Sequence, residues 1–167
     1  MEAMEAMLSR RSIRKYTQQP VSSELVNELL KAAMSAPSAT NKQPWHFIII
    51  NNREILDSIP QFHPFADMLY LAPLAIAVCG DLKVQSVFWV QDCSAASENI
   101  LLAAHASGLG AVWVSVYPRE ERVQGLRNLL VLPEHIIPLS LISLGYPAEK
   151  KSPSKRYNPE NVHHNGW

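Results

Sequence analysis

Charged residues are scarce in this chain, and their signs cancel. They make up 18% of the 167 residues, with 15 cations against 15 anions. So low a charge content, beside 47% apolar residues, argues against a disordered chain and allows a sizeable hydrophobic core. Zero net charge argues against a nucleic-acid binder that acts through bulk positive charge. The length fits one domain, which we expect to span residues 1–167.

Cysteines and long hydrophobic runs are also scarce. The two cysteines, Cys79 and Cys93, are too few for a disulfide framework, so we expect both as buried small side chains. Residues 69–80 form the longest apolar run, but Pro73 interrupts it and it is far shorter than the ~20 residues of a membrane span. Residues 1–8 contain two glutamates and no apolar signal-peptide core. We therefore expect a cytoplasmic protein with no membrane partner.

Several motifs of well-defined chemistry are missing. The chain has no GxGxxG after a predicted strand, no GxxxxGK[ST], no GxSxG and no HExxH. Its cysteines and histidines also lack the spacing of zinc ligands. These absences argue against a dinucleotide-binding fold of that type, a P-loop and a serine-hydrolase elbow, and we expect no metal site.

Helix and strand patterns alternate along the chain. Helix patterns occur near residues 1–9, 22–35, 53–59, 90–107 and 119–130, and strand patterns at 45–50, 74–78, 111–116 and 138–144. Gly80 is expected to end the second strand, and a polar tail follows from residue 148. This order predicts an α/β or α+β sandwich in which helices cover a buried sheet.

Cations are concentrated near the two ends. Residues 10–15 and 150–156 contain eight of the fifteen cations, and neither window contains an acid. Two solvated charge runs are one interpretation, which composition alone favours. The other is two arms that converge on one anion, such as a phosphate.

Residues 10–16 read RRSIRKY. In an extended backbone Arg10, Ser12 and Arg14 point to one side, while Ile13 faces the core. Such a row of donors suits a phosphate at one end and carbonyl or ring-nitrogen acceptors at the other. A basic helix cap or an exposed turn is the structural alternative.

Residues 36–47 read APSATNKQPWHF. The two prolines stiffen this loop, and its small polar residues would let a flat ligand lie against the backbone. Asn41 and Gln43 could read polar edges of such a ligand. The alternative is an ordinary turn that leads into a strand, with Trp45 and Phe47 in the core.

These two segments, together with GLGAVWVSVYP at 108–118 and IPLSLISLGYP at 137–147 followed by the basic tail, resemble the flavin-dependent nitroreductase family. The resemblance extends from about residue 7 to residue 167. It implies an α+β fold, a three-layer α-β-α sandwich around a mostly antiparallel mixed sheet. It also implies a homodimer in which a tail from about residue 148 to 167 embraces the partner subunit.

The resemblance further implies an enzyme that binds FMN between the subunits. NADH or NADPH would reduce the flavin, and a small electron-poor acceptor such as a nitroaromatic or a quinone would then take the electrons in a ping-pong cycle. The flavin would carry the chemistry, so no side chain is assigned as catalytic. Neither a nucleic acid nor a membrane is implied as a partner.

The resemblance assigns roles to residues of the first basic run. Arg10 and Ser12 would hold the FMN phosphate and ribityl chain, with Arg11 beside them. Arg14 would lie near the pyrimidine edge of the ring, where a cation favours the reduced flavin and tunes its potential.

Three further groups of residues complete the implied site. Those from the partner subunit that pack on or near the ring are Pro37, Ser38, Ala39 and Asn41. Those that line the other face and edge of the ring are Trp113, Val114 and Ser115. From the tail, either Lys155 or Arg156 would bind the phosphate.

Short connections at 60–70 and 81–89 distinguish this chain from better-known relatives, and they imply an open pocket. The chemical identity of the electron acceptor is therefore not determined by the sequence. Alternatives are a dehalogenase or dehydrogenase activity on the same scaffold, and a flavin-binding redox sensor or FMN store without substantial turnover. A basic nucleic-acid module has only the two cation runs in its favour.

Overall fold

The computed structural model describes residues 1–167. Its helices are α1 (Ala3–Ser9), α2 (Ser23–Met34), α3 (Arg53–Ser58), α4 (Trp89–Ala106) and α5 (Glu120–Leu130). Its strands are β1 (Trp45–Ile50), β2 (Leu74–Asp81), β3 (Gly110–Ser115) and β4 (Ile136–Gly145). Short 3-10 helices lie at Ala39–Asn41, Ile59–Gln61, Asp67–Tyr70 and Pro159–Asn161. Each predicted helix and strand is present.

Local sequence signals account for where the helices begin. The hydroxyl of Ser22 accepts a hydrogen bond from the Leu25 amide at 3.3 Å and caps α2. The side chain of Asn52 accepts one from the Ile55 amide at 3.1 Å and caps α3. Strand β2 was expected to end at Gly80, but it continues through Gly80 to Asp81. Gly80 stays paired with Trp45 and Ile137, because a glycine can also adopt extended backbone.

The four strands form one antiparallel sheet in the order β1-β2-β4-β3. Helices α2 and α4 pack on one face, and α3, α5 and residues 59–72 pack on the other, so two hydrophobic cores enclose the sheet. This confirms the predicted three-layer sandwich. The parallel contribution expected for a mixed sheet amounts to a single bridge between Ser12 and Ala111.

Two paired glycines shape one end of the sheet. Gly110 of β3 lies opposite Gly145 of β4, and residues 12–16 cross over this pair. A Cβ on Gly110 would lie 2.6 Å from Cγ2 of Ile13, and a Cβ on Gly145 would lie 2.9 Å from Cδ1 of Tyr16. The absence of both side chains therefore lets Ile13 and Tyr16 pack against the sheet, where both are buried.

Hydrogen bonds hold this crossing segment between two other stretches of chain. The Ile13 amide donates to the Ala111 carbonyl at 3.0 Å, and the Tyr16 hydroxyl donates to the Ile13 carbonyl at 2.8 Å. On the other side, the Ala148 amide donates to the Lys15 carbonyl at 2.8 Å. The first basic run therefore lies directly beside the start of the second.

Beyond that point the tail lies on the outside of the protomer. Residues 155–167 are all exposed and contain no strand. An embrace of a partner subunit by residues 148–167 stays a prediction. None of the helices combines the length and the apolar character that crossing a membrane requires.

Gly110→Ala is expected to lower the free energy of unfolding by about 1–3 kcal/mol, the usual cost of forcing a methyl group into a packed site. The added Cβ would overlap the buried Ile13 side chain. Urea denaturation followed by circular dichroism measures the change. Gly166→Ala is the matched control, since a Cβ there has no neighbour within 4 Å. Equal stability of the two variants would contradict this account of the glycine pair.

Candidate functional site

A cavity of about 840 Å³ lies along the outer edge of β3. Strand β3 forms its floor, residues 63–71 form one wall, and both basic runs contribute to its rim. The lining residues are Arg14, Lys15, His63, Pro64, Phe65, Asp67, Met68, Leu71, Val112, Trp113, Val114, Ser115, Arg122, Glu149 and Lys151. Four residues predicted for the flavin site are among them: Arg14, Trp113, Val114 and Ser115.

The floor presents backbone polar groups to the cavity. In an antiparallel strand the amide and carbonyl of one residue point to the same side, and this side alternates along the strand. The Ala111 carbonyl points away from β4, because it accepts the Ile13 amide. Trp113 and Ser115 share this direction, so the Trp113 amide and carbonyl face the open edge. This edge can hydrogen-bond the rim of a flat heterocycle.

A buried histidine closes the far end of this edge. His63 is 1% exposed, and its Nε2–H donates to the Ser115 carbonyl at 2.8 Å. Its Nδ1 accepts the Phe65 amide at 3.3 Å, which assigns the proton to Nε2. Burial lowers the pKa of His63, and the positive charge of Arg122 lowers it further, against the opposing effect of the Ser115 bond. His63 is therefore a neutral, fixed donor.

Arg122 supports the same corner. Its guanidinium donates to the Ser115 carbonyl at 3.1 Å and lies 5.3 Å from the centre of the Phe65 ring. A cation over an aromatic face is an attractive arrangement. Arg122 thereby ties helix α5, the end of β3 and the wall at Phe65 together.

Charges collect at the opposite end of the cavity. The Glu149 carboxylate accepts the Arg14 amide at 2.7 Å and pairs with the Lys151 ammonium at 3.1 Å. The bond from the Arg14 amide lowers the pKa of Glu149, and Lys151 lowers it further. Lys151 also donates to the Ser12 carbonyl at 2.9 Å. Glu149 and Lys151 thus connect the two basic runs within one chain.

Three polar residues of the first run, Arg10, Arg11 and Ser12, do not line the cavity. Arg10 pairs with Glu98 of α4 at 3.4 Å. Arg11 donates to the Ser152 carbonyl. Ser12 takes part through its carbonyl, and its side chain is half-buried. Their predicted contacts with a phosphate stay predictions.

The remaining predicted residues lie elsewhere on the protomer. Pro37, Ser38, Ala39 and Asn41 form a loop next to the start of α4, away from the cavity. This separation is compatible with a loop that serves a partner's site, which stays a prediction. Lys155 and Arg156 lie on the exposed tail.

Sequence reasoning missed eleven of the fifteen lining residues, and five of these have the polar or aromatic contacts described above: His63, Phe65, Arg122, Glu149 and Lys151. Lys151 belongs to the second basic run, for which convergence on an anion was one interpretation. The family resemblance, however, assigns the phosphate contact to Lys155 or Arg156. His63 and Phe65 fall in the short connection at 60–70, where no periodicity indicates which side chains turn inward. Arg122 looks like any exposed cation in the first turns of a helix.

Comparisons with known proteins bear on the family and the fold. The model of the Nitroreductase family matches residues 7–68 and 65–146. The chain therefore belongs to the nitroreductase family, and the family resemblance stated from its motifs is confirmed.

Individual relatives match along nearly the whole chain. A Methanothermobacter thermautotrophicus protein, provisionally named NADH dehydrogenase/NAD(P)H nitroreductase, is 52% identical over 169 residues, covering 100% of this chain and 88% of its own. A crystal structure of a Parabacteroides distasonis protein with the same provisional name has a TM-score of 0.97 at 48% identity, covering 99% of this chain and 98% of that one. A Desulfovibrio desulfuricans protein, provisionally described as a nitroreductase and solved in complex with FMN, has a TM-score of 0.86 at 32% identity, covering 100% and 98%.

His63→Gln is expected to reduce the pH dependence of stability. The pKa of His63 lies below its usual 6.5 in the folded state, so the unfolded chain binds the proton more readily. The contribution of neutral His63 to the free energy of unfolding is therefore complete above pH 6.5. It is lost as the pH falls from 6.5 towards the pKa of His63 in the folded state. Glutamine keeps a donor near the Nε2 position but does not titrate.

Urea denaturation of both proteins between about pH 7.5 and 5.5 measures this difference, because the other histidines are common to both chains. Wild-type protein should lose more stability than the variant over this interval. Parallel curves would show that His63 is not the titrating group.

Proposed function

We propose that this protein is an FMN-dependent NAD(P)H oxidoreductase that passes electrons in a ping-pong cycle to a small electron-poor acceptor, such as a nitroaromatic or a quinone. One observation carries the proposal. The free backbone edge of β3 ends at a cluster of cations from both basic runs, Arg14, Lys15 and Lys151. Family membership and the FMN complex of the Desulfovibrio desulfuricans relative support the same conclusion.

The residues present suit FMN. The amide and carbonyl of Trp113 can meet the polar rim of the isoalloxazine ring, which carries both donors and acceptors. The phosphate needs cations and hydroxyl donors. At the charged end Lys151 contacts the Ser12 carbonyl and Arg11 contacts the Ser152 carbonyl, while Arg10, in the same run, pairs with Glu98. A cavity of about 840 Å³ is large enough for a cofactor of this size.

FMN, when bound, supplies reversible two-electron chemistry between a nicotinamide and the acceptor. The chain positions the ring and controls its surroundings. The buried Val112 and Val114 give the floor an apolar backing that excludes water from beneath the ring. Arg14 places a positive charge at the rim, where negative charge develops on reduction.

We further infer a homodimer with the sites between subunits. The single chain builds a floor and one wall, and the loop that carries Pro37, Ser38, Ala39 and Asn41 does not line its own cavity. A second copy can supply this loop. Lys155 or Arg156, on the exposed tail, can then reach a phosphate. The buried free thiols of Cys79 and Cys93 suit a reducing compartment such as the cytoplasm.

Stopped-flow spectroscopy tests the activity. Purified protein reconstituted with FMN should lose its flavin absorbance on mixing with NADH or NADPH and regain it on mixing with a nitroaromatic or a quinone. The same preparation should sediment at twice the 18.7 kDa mass of one chain. Bleaching without reoxidation by any acceptor would favour an FMN store or sensor. Flavin that neither nicotinamide reduces would refute the proposed activity.

Arg14→Ala is expected to make the midpoint potential of bound FMN more negative by about 30 mV, equivalent to about 1.4 kcal/mol for a two-electron couple. Loss of the positive charge removes stabilisation of the reduced ring. Arg14→Lys is the control, because it keeps the charge and should stay close to wild type. Spectroelectrochemical titration measures all three proteins. Identical potentials in wild type and the alanine variant would remove Arg14 from this role.

A further inference from the structure

Helix α4 buries a carboxylate that the cavity does not use. Asp92 is 4% exposed, and its Oδ1 accepts the Ala39 amide at 2.8 Å. Its Oδ2 is buried without a hydrogen-bond partner in the protomer. A buried carboxylate oxygen without a partner is unfavourable, so its presence calls for a compensating role.

The loop that Asp92 contacts has a strained backbone. Thr40, Asn41 and Gln43 adopt positive φ values of 50°, 56° and 50°. Asparagine tolerates this region, but a β-branched threonine is an outlier there. Residues held in such conformations persist when the surroundings fix them, and they concentrate at functional sites.

The hydrogen bonds of this loop are almost all internal. Within it, the Ser38 hydroxyl accepts the Gln43 amide at 3.0 Å and the Ala39 carbonyl accepts the Lys42 amide at 3.1 Å. The bond from Ala39 to Asp92 is the one hydrogen bond that connects residues 37–43 to another part of the chain. Asp92 is therefore the anchor of the loop on the body of the protomer.

The anchor itself is rigid. Asp92 lies in the first turn of α4, where its amide bonds to the Phe88 carbonyl at 3.0 Å. Trp89, the first residue of the same turn, packs its ring so closely on Gly80 that a Cβ on Gly80 would clash with the ring. The Trp89 ring also meets the Tyr117 ring edge-on at 4.9 Å. These contacts lock the turn that carries the carboxylate.

We propose that Asp92 is a positioning residue, whose carboxylate holds residues 37–43 in the strained conformation that presents Pro37, Ser38 and Ala39 to the FMN of the partner subunit. This inference rests on the proposed function. A charged acceptor makes a stronger bond to the Ala39 amide than a neutral one. The N-terminal turn of α4 also favours a negative charge at this position.

The test compares Asp92→Ala with Asp92→Asn in the full chain. Alanine removes the acceptor, whereas asparagine keeps an oxygen for the Ala39 amide. We expect Asp92→Ala to weaken FMN binding about tenfold or more, the effect of losing one hydrogen bond to a charged group. Asp92→Asn should restore most of the affinity. Fluorescence titration with FMN measures the affinity, and visible circular dichroism of the bound flavin reports the packing on its ring.

Ser97→Ala is the matched control. Ser97 is equally buried on α4, and its hydroxyl bonds to the Cys93 carbonyl at 2.8 Å and the Ser140 hydroxyl at 3.1 Å, with no contact to the loop. This variant should keep the flavin affinity and spectrum of wild type. Loss of affinity in Ser97→Ala as large as in Asp92→Ala would overturn the proposal, since any buried polar change in α4 would then have the same effect.

Other outcomes also decide the matter. Wild-type affinity and flavin spectrum in Asp92→Ala would overturn the inference and leave the proposed function intact. Equal losses in the alanine and asparagine variants would overturn it too. Wild-type protein that binds no FMN would overturn the proposed function, and this inference with it. If Asp92→Ala does not fold, amide hydrogen exchange tests the anchor instead. The Ala39 amide should exchange slowly in wild type and in Asp92→Asn. An Ala39 amide that exchanges as fast as the amide of exposed Lys155 would refute the anchor.

Discussion

The packing of residues 12–16 over the glycine pair Gly110 and Gly145 is the constraint on which the cavity depends. The two missing side chains let Ile13 and Tyr16 bury against the sheet. That burial brings Arg14 to the rim, and backbone pairing with Ala148 then draws Glu149 and Lys151 to the same place. Two basic segments more than a hundred residues apart thus share one anionic contact.

An open strand edge is normally a liability, because it invites pairing with another chain. Strand β3 limits this risk at both ends. Ile13 pairs with Ala111 at its start, while His63 and Arg122 satisfy the Ser115 carbonyl at its end. Between these two points only the backbone polar groups of Trp113 face the open edge, too few to pair with another strand. The same arrangement that protects the sheet therefore also bounds the proposed flavin site.

Away from this floor, the loop next to α4 has a strained backbone, and the carboxylate of Asp92 that contacts it is buried. A protein built only for stability has no need of three left-handed residues without glycine or of a half-satisfied buried carboxylate. Both features are explained if the loop must keep one shape for a ligand outside its own protomer. In the proposed homodimer, the floor of one protomer and the loop of the other would form the two halves of one site.

Local patterns in the sequence were enough to predict the helices, the strands, the buried sheet and the inward-facing Ile13, because periodicity and capping act over a few residues. The four motifs were enough to indicate the family. The composition of the charged rim was decided by the tertiary structure: Lys151 contacts Ser12, while Lys155 and Arg156 lie exposed on the tail. His63 and Arg122 meet at Ser115 for the same reason. Such contacts join residues that are distant in the chain, and no short-range pattern encodes which of several similar side chains arrives at a given point.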